Sequence, residues 1–132
     1  MTVAPVRHRA GATPQPQEEP VWFKVDDQIP FHPKIIAVGN QAAGVWMRAG
    51  AWSGQQLTDG FVPDAITQAL GATRGDLNRL VQYGLWDRVT GGYQFHDWTQ
   101  YQPSAAQVRQ EREKSRERMR ELRANADRNP KK

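Results

Sequence analysis

Leu77-Asn78-Arg79-Leu80-Val81-Gln82-Tyr83-Gly84-Leu85-Trp86-Asp87-Arg88-Val89-Thr90-Gly91-Gly92-Tyr93-Gln94-Phe95-His96-Asp97-Trp98 is the stretch whose reading decides the fold. Leu77, Leu80 and Val81, with Leu70 before them, recur at helical spacing, so a helix with one apolar face is expected here. Gly84 ends it, because glycine enters the left-handed conformation of a helix terminus with no Cβ to clash. Leu85 to Val89 and Tyr93 to Phe95 are β-prone, and Thr90-Gly91-Gly92 between them supplies the positive φ angles that a tight connection demands. The stretch reads as a glycine-capped helix running directly into a two-stranded hairpin.

The flanking sequence supplies the partners. Thr73 is a fair N-cap for this helix, with Asp76 placed to complete a capping box. Before it, Asp64 to Leu70 is a short periodic segment, with Ala65, Ile66, Ala69 and Leu70 suited to burial and Gly71 as its stop. Gly60-Phe61-Val62-Pro63 is a brief extended segment, and Trp52 to Thr58 is polar and loop-like. His32-Pro33 opens an earlier helix, since proline is tolerated in a first turn. Its stripe is Ile35, Ile36, Ala42, Ala43, Trp46 and Ala49, and it runs to about Gly50. Val21 to Val25 marks the start of the core and is a candidate short strand. Beyond the hairpin, Asp97 to Pro103 should lead the chain back over the body, with Trp98 and Tyr101 as anchors. The order is helix, short strand, helix, turn, helix, hairpin. That is the order of a winged helix-turn-helix domain. The expected fold is therefore mainly α (α+β), a winged helix-turn-helix over residues 21–103 with a C-terminal helical extension.

With 132 residues, 38% of them hydrophobic, the chain supports one modest core. It has no apolar run near the ~20 residues that span a bilayer and no apolar signal-peptide core before Pro14, so a soluble protein with no membrane partner is expected. The absence of cysteine removes disulfides, thiol catalysis and cysteine-ligated zinc. The net charge of +4 is unevenly placed. Residues 109–132 hold ten Lys and Arg against five Asp and Glu, while residues 1–108 hold eight against nine. The basicity is in the tail.

Residues 1–20, with four prolines and only isolated apolar side chains, should be a disordered arm. Residues 104–132 should form a basic, charged helix to about Asn125 and then a frayed tail. Pairs such as Arg109 with Glu113 and Glu117 with Arg120 each contribute only about 0.2–0.5 kcal/mol. A heptad reading puts Ala105, Arg112, Met119 and Ala126 at one seam position and Val108, Ser115 and Leu122 at the other, a poor coiled-coil seam. A largely solvated single helix is expected, with a dimerising helix as the alternative.

If the third helix enters a major groove, the side chains facing away from Leu77, Leu80 and Val81 are the readers: Arg74, Asn78, Arg79 and Gln82. Arginine pairs bidentately with guanine, and asparagine or glutamine with adenine. The bland alternative is that any exposed helix face carries such residues, and Asp76 on the same helix counts against reading. Arg88, near the hairpin tip, could touch a neighbouring phosphate. The tail cations Arg109, Arg112, Arg116, Arg118, Arg120 and Arg123, with Lys114, suit non-specific phosphate contacts or, alternatively, pairing with the acids among them. Most of the five tryptophans should pack in or near the core. His8, His32 and His96 are isolated and lack metal-ligand spacing. His96 and Asp97, as neighbours along a strand, should point to opposite faces. Neither an enzyme nor a metal or cofactor site is expected.

The spaced set Trp22-Phe23-Lys24, His32-Pro33-Lys34-Ile35, Trp46, Asp59-Gly60-Phe61-Val62-Pro63, Leu80-Val81 with Gly84-Leu85-Trp86, and Asp97-Trp98 with Tyr101-Gln102-Pro103 covers roughly residues 21–103. It is similar to the N-terminal domain of phage replisome organiser proteins and to related helix-turn-helix proteins of actinobacterial phages and prophages. The resemblance implies a winged-helix fold in the cytoplasm of a bacterial host and a role in phage DNA transactions, most often replication initiation or its regulation. Members often continue into a C-terminal region that engages the host replication machinery; here a basic helix follows instead, and a host or phage replication protein is a further expected partner. The expected function is double-stranded DNA binding in replication or transcription control. One copy reads only a few base pairs, so specific binding would need a homodimer or repeated sites. The rival is a protein-interaction module whose nearly neutral body docks a partner while the tail dimerises.

Overall fold

Proline at a helix start forfeits no hydrogen bond, and α1 (Pro33–Gln56) begins in this way behind His32, whose Nδ1 accepts the Lys34 N–H at 3.2 Å. The structure, a computed structural model, describes residues 20–128. The arm expected over residues 1–20 lies, but for Pro20, outside the described residues, as does the tail from residue 129. Gly39, at φ +83°, breaks α1 into two helical segments. Val38, just before the break, and Ala42, Val45 and Ala49 after it face the core. Ile36, two residues ahead of Val38 and so on the opposite side of that helical segment, stays 62% exposed, which corrects the expected stripe.

The helix also outruns its expected end at Gly50. Gly50, Ser53 and Gly54 are buried in its last turns, where a Cβ on Gly50 would run into the Phe23 ring. Small residues here are a docking surface for the N-terminal segment, not a breaker. Leu57, left-handed at φ 58°, closes the helix. The Ser53 hydroxyl then accepts the Gly60 N–H at 2.7 Å and lies 2.6 Å from Thr58 Oγ1, fixing the turn into β1 (Phe61–Pro63).

A 3-10 turn at Ile29–Phe31 precedes α1, and the elements after β1 are α2 (Asp64–Ala69), α3 (Arg74–Gln82), β2 (Trp86–Val89), β3 (Gly92–Phe95), α4 (Trp98–Tyr101) and α5 (Ala105–Arg128). The chain is mostly helical, with one small antiparallel sheet of order β1-β3-β2. Gly92 pairs with Pro63 on one side and Val89 on the other. A Cβ there would collide with the Val62 carbonyl, so β1 can lie this close only against glycine. Of the expected turn residues only Gly91 has positive φ, at +82°. Thr90 and Gly91 form the turn and Gly92 belongs to the strand.

α3 starts with a full capping box, Thr73 Oγ1 accepting the Asp76 N–H and Asp76 accepting the Thr73 N–H. It ends in a Schellman motif: Leu85 N–H bonds the Leu80 carbonyl at 2.9 Å and Gly84 N–H the Val81 carbonyl at 3.1 Å, with Gly84 at φ +76°. Leu80 is fully buried, whereas Val81 is left at the surface. In α2, Ala65 and Ala69 are exposed and Thr67 takes the buried position, its hydroxyl satisfied by the Asp64 carbonyl at 2.7 Å.

α1, the sheet and α3 enclose the core of Val38, Ala42, Val45, Ala49, Val62, Leu80, Trp86, Phe95 and Trp98. Phe23 joins it, stacked on Trp98 at 5.9 Å and edge-on to Trp46 at 5.2 Å. The candidate strand at Val21 to Val25 does not form. The Gln102 carboxamide takes the place of a neighbouring strand, accepting the Lys24 N–H at 2.9 Å and donating to the Lys24 carbonyl at 2.7 Å. Gln102 is accordingly buried, while Tyr101, an expected anchor, is 67% exposed. Trp86 and Trp98 are core residues, and Trp22 is 76% exposed.

Candidate nucleic-acid interface

α3 is pinned from beneath. The Asp76 carboxylate, fully buried, accepts the Thr73 N–H at 2.9 Å, the Gln41 carboxamide at 2.7 Å and the Arg79 guanidinium at 2.8 Å. Burial pushes this carboxyl upward, but the hydrogen bonds from Thr73, Gln41 and Arg79 outweigh it and hold the group below the ordinary aspartate value. Its charge is thus kept and turned inward. The objection that Asp76 would repel a polyanion from this helix loses its force, because the carboxylate does not face solvent.

The same network takes up one expected reader. Arg79 bonds Asp76 and, through Nε, the Val38 carbonyl at 3.2 Å, so it ties α3 to the break in α1. Arg74, Asn78 and Gln82 remain exposed, with no side-chain hydrogen bond or ion pair recorded among the described residues. Spaced by four, they form one ridge about 12 Å long. Arg88 is likewise engaged. Its guanidinium reaches both Asp64 oxygens, at 2.5 and 3.2 Å, and lies 4.6 Å above the Tyr93 ring. This ties the hairpin to the start of α2, and the pairing holds the Asp64 carboxyl below its usual value.

Two cations near this face carry no periodic signal in the sequence. Arg48 of α1 donates to the Leu70 carbonyl at 3.2 Å, at the turn before α3. Lys34 lies at the other end, its Nζ 3.5 Å from where a Cβ on Gly84 would be. Both are placed by tertiary packing of α1 on α3. Arg109, Arg112 and Arg116 lie on α5, a separate element, where Arg116 reaches Glu113 at 3.4 Å and Arg112 is half-buried.

His96 and Asp97 depart from the expected opposite-face arrangement. β3 stops at Phe95, and Asp97 turns left-handed at φ 56°, folding its carboxylate back to His96 Nε2 at 3.1 Å. His96 Nδ1 meets Asp87 at 3.3 Å on its other side. The imidazole stands between two carboxylates, half-exposed, beside an open groove of about 360 Å³ lined in part by Phe23, Lys34, Trp46 and Tyr101. Among the described residues no cluster of three or more His, Asp or Glu could hold a metal ion, and no helix is long and apolar enough to cross a membrane. Compared with protein-family models, with curated proteins and with solved structures, the chain matches none.

Proposed function

We propose that this chain is a winged helix-turn-helix protein of phage or prophage type that binds double-stranded DNA in replication initiation or its regulation, or in transcription control. α2 and α3 are the helix-turn-helix, β2 and β3 the wing. The observation that carries the reading is the α3 ridge. Arg74, Asn78 and Gln82 are the residue types that pair with base edges, they stand in line at the surface, and the one acid on their helix is buried and paired with Arg79. Arg79 and Arg88 support the fold in this reading, while Arg48 reaches Leu70 before α3 and Lys34 lies by Gly84 after it.

Salt-titrated binding to duplexes of varied sequence tests it. Arg74→Ala/Asn78→Ala/Gln82→Ala should lose discrimination between sequences by about 1–3 kcal/mol for each bidentate pair removed. A triple variant that distinguishes every sequence as wild type does overturns the reading. The second reading, partner docking, is favoured by the groove at His96 with the exposed Tyr101 on its lining, and by the exposed Trp22, Phe31 and Ile36, each next in sequence to a residue that lines it. Absence of duplex binding at low salt selects it.

A further inference from the structure

Apart from the half-buried Val108 and Arg112, α5 is exposed beyond its first turn: Ala105 is its one buried residue, its N–H donating to Asp59 at 2.6 Å. At 3.6 residues per turn, Arg109, Arg112, Arg116, Arg120 and Arg123 fall within an arc of about 80° and form a ridge about 21 Å long. Glu113, Glu117 and Glu121 line one flank of it. Val108, Met119 and Leu122 line the other, and Met119 and Leu122 are exposed. Arg116 and Arg120 both reach Glu113, at 3.4 and 3.2 Å. Solvent-exposed pairs of this kind are weak and screened by salt, so they yield readily to a stronger anion.

The charge pattern selects the occupant. In an antiparallel pair of α5 helices packed on the apolar flank, Arg109, Arg116 and Arg123 would meet one another. In a parallel pair they would meet Ser104, Glu111 and Arg118, one neutral, one attractive and one repulsive contact, with Arg112 in the seam itself. A second copy is therefore a poor fit. A membrane surface fits poorly too, because the apolar flank carries no aromatic anchor. A phosphate backbone suits a narrow guanidinium ridge with donors along its whole length.

We infer that α5 is a second nucleic-acid contact, a sequence-blind ridge that tracks phosphates of duplex DNA. This rests on the DNA-binding reading but not on the α3 ridge. The test uses the full chain, wild type and Arg109→Gln/Arg116→Gln/Arg120→Gln/Arg123→Gln, titrated with salt on duplexes of random sequence. Glutamine matches arginine in helix propensity, so far-UV circular dichroism should be unchanged. The log–log salt slope should fall in magnitude by about 3.6, equally for every sequence. An unchanged slope overturns the inference. So does tighter binding to phosphatidylserine vesicles than to duplex, and so does a dimer in sedimentation that the four substitutions dissolve while the slope persists. The α3 triple variant separates the two readings. If it discriminates as wild type does while the α5 variant loses slope, the α3 reading falls and the ridge stands; the reverse result removes the ridge alone. A wild type that binds no duplex at low salt overturns both.

Discussion

Asp76 illustrates how one side chain can serve several structural roles while keeping its charge off the surface of its helix. Its carboxylate caps α3, joins α1 through Gln41 and holds Arg79, so removing it leaves three sets of donors without their partner. Asp76→Ala should destabilise the fold by about 2–4 kcal/mol, read from urea unfolding, with breakage of a buried pair and loss of a cap both contributing. Because the folded-state value of Asp76 is lowered, its stabilising contribution is complete above the ordinary aspartate range and is lost as pH falls through the depressed value. Asp64, lowered by its pairing with Arg88, acts in the same direction. Stability of the wild type should drop on acidification below about pH 4, and Asp76→Asn should flatten that drop. A variant with an undiminished acid slope would remove Asp76 as its source.

Two glycines separate close approach from mere flexibility at the level of the elements. Gly92 lies between two strands, where a Cβ would strike the Val62 carbonyl; Gly44 lies inside α1 with nothing within 4 Å of an added Cβ. Gly92→Ala should cost about 2 kcal/mol or more by prising β1 from β3, as overpacking does elsewhere. Gly44→Ala should raise stability by about 0.5–1 kcal/mol through helix propensity and a stiffer unfolded chain. Thermal unfolding of the pair checks both signs. The capping box, the Gly84 terminus and the hairpin were legible in the sequence because each is set by residues within a few positions of one another. The length of α1 was not, since the apolar stripe runs out at about Gly50 and Trp52 to Thr58 reads as polar loop until Phe23 and Val21, distant in sequence, are brought against Gly50 and Gly54. The α3 ridge was half legible. Spacing identified Arg74, Asn78 and Gln82, but Arg79 was indistinguishable from them without knowledge of where the Val38 carbonyl would lie.

At the scale of the molecule, the body and α5 divide the labour of stability and charge. Packing holds the body together, and α5 beyond Arg112 is exposed throughout. Removing residues 110–132 should leave the melting temperature within a few degrees of wild type while abolishing most of the salt dependence of duplex binding, a combination measurable on one preparation. A large fall in melting temperature would show that α5 helps to hold the body.

The Gln102 carboxamide brings Lys24 and Gln102, 78 positions apart, into direct contact and so brings the entry and exit of the body together at one point. Mechanical tension applied through the two flanking segments is then carried by α5 and the Ala105–Asp59 bond outside this point and by the two hydrogen bonds and the Phe23 ring at it. α1 to α3 and the sheet, which lie between Lys24 and Gln102, bear load only after that clasp has opened. Stretched from its ends, the body should yield in two steps, and Gln102→Ala should lower the force of the first.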